Sequence, residues 1–170
     1  MQLTAESTMM LSNMFLGMIE REFETTRKVI AAVPDDQLGY KLGDKGRTAR
    51  ELMHHIVESE IWFADFVING VLGQEGELTP DRSKEQILAR SEDIPAAVKR
   101  VRDLTPDQLM RELDFFGLFN FPAVFYLNFW LVHTIHHRGQ LSTYLRAMNA
   151  HVPSIYGGSA DEPFQMGTNA

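Results

Sequence analysis

Three of the nine residues in HTIHHRGQL, at positions 133 to 141, are imidazoles, and their spacing is the first sign of chemistry in this chain. His133 and His137 stand four residues apart, so on a helix they project from one face, one turn above the other. Two neutral imidazoles placed that way can share one divalent metal ion. A third ligand has to come from elsewhere, and the only other clustered histidines are His54 and His55.

The helix that carries the pair has an unusual interior face. Tyr126, Trp130, His133, His137, Gln140, Tyr144 and Met148 follow one another in steps of four and three, the spacing of a seam that faces a bundle interior. Leu, Ile or Ala would fill such a seam in a purely structural bundle. Burying two histidines and a glutamine without partners costs roughly 1–3 kcal/mol for each unsatisfied group, so something must satisfy them.

Four helical segments are expected to position these residues. The first spans about Glu6 to Val33, with Leu11, Phe15, Ile19 and Phe23 on one side, and stops before Pro34. The second starts at a capping box, Thr48 with Glu51, and runs to about Asn69 with Leu52, His55, Ser59, Trp62 and Phe66 as its inner seam. A Gly-rich connection, GVLGQEGELTPD, leads to a third region from Ser83 to about Leu104, which Pro95 kinks or splits. The fourth runs from near Asn120–Pro122 to near Asn149 and contains Gly139, where close approach by a neighbour or ligand would offset the ~1 kcal/mol that glycine costs a helix. Only LDFFGLF suggests an extended stretch. VPDDQL at 33–38 and TPDQL at 105–109 echo each other, as helix-start signals more than as remnants of a repeat. The expected architecture is an all-α four-helix bundle over residues 1–170, one domain with a C-terminal tail from about 150 packing on it.

Composition narrows the classes of function. At 170 residues the chain can bury a proper core without disulfides, and it has no cysteine to serve as ligand or nucleophile. Sixteen Lys and Arg against twenty-three Asp and Glu give a net charge of −7, the wrong sign for gripping a phosphate backbone, so no nucleic-acid partner is expected. The N-terminus lacks a basic signal region, and no apolar run is long enough to span a bilayer, so a cytoplasmic protein with no membrane partner is expected. The last helix is apolar on more than one face, at Val124, Phe125, Leu127, Leu131 and Leu145, which places it centrally in the bundle or against a second copy in a homodimer.

ELMHHIVESEIW, followed about eighty residues later by HxxxHRGQL, resembles the DinB/YfiT-like family of metal-binding four-helix proteins. The tail VPSIYGGSADE is similar to the ending of many damage-inducible members. The resemblance implies a metal triad at His55, His133 and His137, and the seam favours His55 because His54 lies about 100° away around the helix. Three histidines with open coordination positions would be a catalytic type of site for a divalent metal, zinc or nickel before iron or copper. Hydrogen-bonded core histidines are the alternative. Glu58 would be a fourth ligand, a general base or a solvent-facing residue; Gln140 and Tyr144 would orient the ligands, or Tyr144 would be a core tyrosine. Arg138 would hold an anionic substrate group or a structural ion pair.

The family resemblance implies two kinds of enzyme. One is a transferase or isomerase in which the metal holds the sulfur of a small thiol such as bacillithiol or mycothiol, with a small electrophilic substrate against Trp62, Tyr126 and Trp130. The other is a metal-dependent hydrolase assisted by Glu58. A metal-binding stress-response protein without turnover is the reading from another class.

Overall fold

The computed structural model describes residues 3–74 and 82–164, so part of the Gly-rich connection and the last six residues of the tail lie outside the described residues. Four long helical layers form a bundle. α1 (Ala5–Ala31) opens with a capping box between Thr4 and Ser7, and α2 (Ala49–Asn69) opens with the expected one between Thr48 and Glu51. In each, side-chain oxygens accept backbone N–H groups that a helix start leaves without partners.

The third layer is two helices, α3 (Lys84–Ser91) and α4 (Ile94–Arg102). Pro95 does split it, and it stands in the first turn of α4, where a missing N–H costs nothing. The two echoing segments both open short helices, a 3-10 turn at Asp35–Gln37 and α5 (Pro106–Met110). LDFFGLF folds as a hairpin, with β1 (Glu112–Phe115) antiparallel to β2 (Phe119–Pro122) in the register Phe115 opposite Phe119.

α6 (Ala123–Ala147) closes the bundle and packs against both α1 and α2. That explains its two apolar faces: Val124, Leu127 and Leu145 are fully buried without recourse to a second copy. With Leu16, Ile30, Met53 and Ile56 they form one core, each side chain adding ~1.5–3 kcal/mol of burial. No helix among the described residues is long and apolar enough to cross a membrane.

Candidate metal centre

α2 and α6 bring His55, His133 and His137 together. One ring nitrogen from each lies within 4.8 Å of the others, and the ring centroids are 4.3 to 4.9 Å apart. Nε2 of His55 lies 3.3 Å from Nε2 of His137. Two nitrogens bound to one tetrahedral zinc at ~2.0–2.1 Å stand roughly 3.3–3.4 Å apart, so the observed spacing is that of co-ligands.

The hydrogen bonds around the rings define which nitrogen faces inward. The Ser59 hydroxyl donates to the His55 carbonyl at 2.5 Å, so at 3.2 Å from His55 Nδ1 it accepts the ring N–H. Gln140 Oε1 lies 2.7 Å from His137 Nδ1 and can only accept from it. Both tautomers, assigned from this network, therefore turn an Nε2 acceptor toward the other ring. Two acceptors at 3.3 Å repel unless a cation or a proton lies between them. The residues present fit a divalent metal.

His137 is also held in the form that can ligate. Burial is the main cause that pushes it down to about 4, with the charges of His55, His136 and Arg47 adding to it and the Gln140 bond opposing. The ring is neutral at pH 7. Gln140 Nε2 in turn bonds His136 at 3.1 Å, so one exposed amide steadies two imidazoles, and His136 itself is exposed, off the seam.

His55 and His133 open into a chamber of about 260 Å³ whose other walls include Trp62, Phe63, Phe115 and Phe116. Among the described residues no carboxylate, lysine or arginine lines it. Phe116 reaches it through an uncommon backbone conformation, φ 55°, which a bulky residue adopts only under constraint. The constraint is visible: Gly117 N–H bonds Asp114 Oδ2 at 3.0 Å and Leu118 N–H bonds the Phe115 carbonyl at 3.0 Å. Its ring then lies nearly parallel to Trp62, with centroids 6.2 Å apart. Trp62 is fixed from behind by its N–H, which donates to the Gly73 carbonyl at 2.8 Å.

Other residues singled out from the sequence lie elsewhere. Tyr126 and Trp130 are fully buried and outside the chamber lining: the Tyr126 hydroxyl donates to the Leu113 carbonyl at 2.8 Å, and the Trp130 N–H donates to Glu60 at 3.2 Å. The aromatic wall comes instead from the hairpin, for which LDFFGLF was the only signal. Glu58 is buried, not solvent-facing, with both oxygens held by Arg90 at 3.1 and 3.2 Å and one by Arg82 at 3.2 Å; it lines a separate cavity with Trp62, Asp65 and Arg90. His54 is buried too, and its Nδ1 accepts from Arg82 at 2.8 Å. Arg138 is 1% exposed and takes the ion-pair alternative, bound to Glu22, Thr26 and Tyr156. Tyr144 is buried and donates to the Arg47 carbonyl at 2.8 Å, whereas Gln140, expected to be buried, is exposed. Nothing lies within 4 Å of where a Cβ on Gly139 would stand, so the expected close approach is absent among the described residues.

Comparison with known proteins bears on the same arrangement. The family model for DinB matches residues 9–166, which is most of the chain. The chain belongs to the DinB family. Among DinB relatives, a crystal structure of a DinB-like protein from Bacillus cereus ATCC 10987 superposes with a TM-score of 0.71 at 26% identity, covering 84% of this chain and 95% of that one. The DinB-like protein YjoA of Bacillus subtilis superposes with a TM-score of 0.69 at 25% identity, covering 84% and 96%. In sequence, the uncharacterised YjoA of Bacillus subtilis strain 168 is 26% identical over 145 residues, covering 81% of this chain and 90% of its own. These relatives agree with the bundle and leave its chemistry to be argued from the site.

Proposed function

We propose that this DinB protein is a metal-dependent S-transferase that joins a small thiol to a small apolar electrophile. The observation that carries the reading is the pairing of two inward-facing Nε2 atoms at 3.3 Å with a chamber that, among the described residues, no carboxylate lines. His55, His133 and His137 would hold the metal, zinc or nickel by donor type. The ion supplies the Lewis acidity that keeps an exogenous thiol deprotonated at neutral pH.

The chain's own residues do the rest. Ser59 and Gln140 fix the outer nitrogens of His55 and His137 and so aim the inner ones. Trp62, Phe63, Phe115 and Phe116 take the electrophile's apolar body and exclude water from it. In the transfer a sulfur–carbon bond forms at the electrophile as its leaving group departs with the bonding pair, and the thiol proton passes to solvent. Hydrolysis is the weaker reading, because Glu58, the carboxylate it would call upon, is engaged by two guanidinium groups.

Cobalt substitution tests the proposal. Addition of a small thiol should shift the visible spectrum of the cobalt protein, and thiol plus an aryl electrophile should give the S-conjugate. Thiol-independent hydrolysis, or a spectrum indifferent to thiols with no turnover, would overturn it, the latter in favour of a non-enzymatic metal-binding protein.

A further inference from the structure

The tip of the hairpin breaks the rule for its own turn. Phe115 to Leu118 form a turn closed by the Leu118 N–H on the Phe115 carbonyl at 3.0 Å, and both central residues have positive φ, 55° at Phe116 and 69° at Gly117. Positive φ at both positions marks a type I′ turn, which Asn-Gly, Asp-Gly or Gly-Gly fills without strain. Gly117 suits it; Phe116, with its Cβ and bulky ring, does not. Burial gives little in return, because Phe116 is 61% exposed. A residue that breaks a local rule at so little gain to the packing points to a role at a site.

The strained turn holds an aromatic face at the exposed edge of the histidine chamber. Phe116 lines that chamber with Trp62, His55 and His133. Its plane lies 4° from that of Trp62, with centroids 6.2 Å apart. Both rings are set in place: the Trp62 N–H is spent on the Gly73 carbonyl, and the Gly117 N–H bond to Asp114 fixes the turn. Phe115 meets both edge-on, its centroid 4.9 Å from Phe116 and 6.1 Å from Trp62. Two parallel faces suit a flat ligand, which can lie along both, better than a puckered one. The space is adequate. Apolar cavities of ~150 Å³ already admit benzene, and this chamber has about 260 Å³.

We propose that Phe116 is the residue that sets substrate choice at this site, selecting electrophiles built on a single planar aromatic ring, which it holds together with Trp62 beside His55 and His133. The inference rests on the S-transferase reading for the reaction. Recognition of the ring itself needs neither thiol nor turnover.

NMR titration of the zinc-loaded protein with benzyl alcohol and with cyclohexylmethanol tests the proposal. Both probes carry the same hydroxymethyl group, and the saturated ring is the more hydrophobic, so a merely apolar cavity would favour cyclohexylmethanol. Benzyl alcohol should instead bind about threefold more tightly, within the worth of one aromatic pair. It should move the Trp62 indole N–H resonance and leave that of the buried Trp130 in place. Phe116→Leu, which keeps an apolar side chain at the position, should abolish the preference. Phe116→Asn should abolish it too and raise the melting temperature, because Asn suits the turn. Equal or reversed affinities in the parent protein, a preference that survives in either variant, or a lower melting temperature in Phe116→Asn would overturn the proposal. If no thiol conjugate forms with any electrophile but benzyl alcohol binds in this Phe116-dependent way, the transferase reading fails and the ring site stands. If conjugates form while the aromatic preference is absent, the ring site fails and the transferase reading stands.

Discussion

His137 and Arg138 are neighbours in the chain and opposite in what they ask of their surroundings. His137 turns one nitrogen to Gln140 and the other toward His55, where acceptor meets acceptor. Arg138, 100° further round α6, is saturated by Glu22, Thr26 and Tyr156, and its ring contact with Tyr156 ties the C-terminal segment to the bundle. A polar cluster complete in itself is structural; one whose geometry is completed by an added cation is a site. That difference is measurable, because the two clusters should respond to substitution in different observables.

The largest effect is expected at the ligands. His137→Ala should abolish stoichiometric metal binding, while His136→Ala should leave one ion per chain, since His136 lies outside the cluster and meets it through Gln140 and an edge-on ring contact with His137. Metal analysis after dialysis decides it. Equal loss in both variants would dissolve the distinction between seam and surface.

Arg138→Ala should show the reverse pattern. Removing one partner of a buried pair leaves Glu22 and Tyr156 without it, at a cost of ~3–5 kcal/mol, while metal stoichiometry in the folded fraction persists. Urea unfolding with and without metal separates the two quantities. A stable variant that has lost its metal would reassign Arg138 to the site.

Glu60 sharpens the comparison, because it is a buried carboxylate whose one hydrogen-bond donor among the described residues is the Trp130 N–H. Burial above all pushes it up to about 7, and the Trp130 bond and the Arg138 charge only partly oppose that. Its folded pKa thus lies above the unfolded value near 4.5, so the protonated form is favoured in the fold. Its contribution is greatest below about pH 4.5, declines as the pH rises toward 7, and stays low above it, an amount on the order of 3 kcal/mol. Glu60→Gln should therefore flatten that part of the stability profile and raise stability at pH 8. Parallel pH profiles for parent and variant would show that Glu60 ionises as an ordinary surface carboxylate.

Much of this was legible before the structure, for reasons of periodicity. The capping box at Thr48 is a local signal and appears where expected, and the four–three spacing of α6 correctly placed His133 and His137 together. The spacing failed at its ends. Trp130 and Tyr126 continue the seam, but the hairpin and α2 cover them, so they support the centre from behind. Gln140 continues it in the other direction but borders an open cavity with Leu52 and Arg47, and so reaches solvent. Glu58 was ambiguous because α2 is buried on more than one face, which a single helix cannot reveal.

The smallest expected effect is the one that discriminates most between mechanisms. If the thiol supplies the nucleophile, Glu58→Gln should leave thiol-dependent turnover within about twofold, because the carboxylate then serves only Arg82 and Arg90. If water supplied it, removal of an assisting carboxylate would cost about 10²–10⁴-fold. A structural loss is expected alongside, since Gln offers one acceptor where Arg90 now meets two oxygens. Turnover must therefore be normalised to folded, metal-loaded protein. A residual hundredfold collapse after that correction would move Glu58 from the ion-pair cluster to the reacting centre, and with it the whole distinction between the saturated region and the open one.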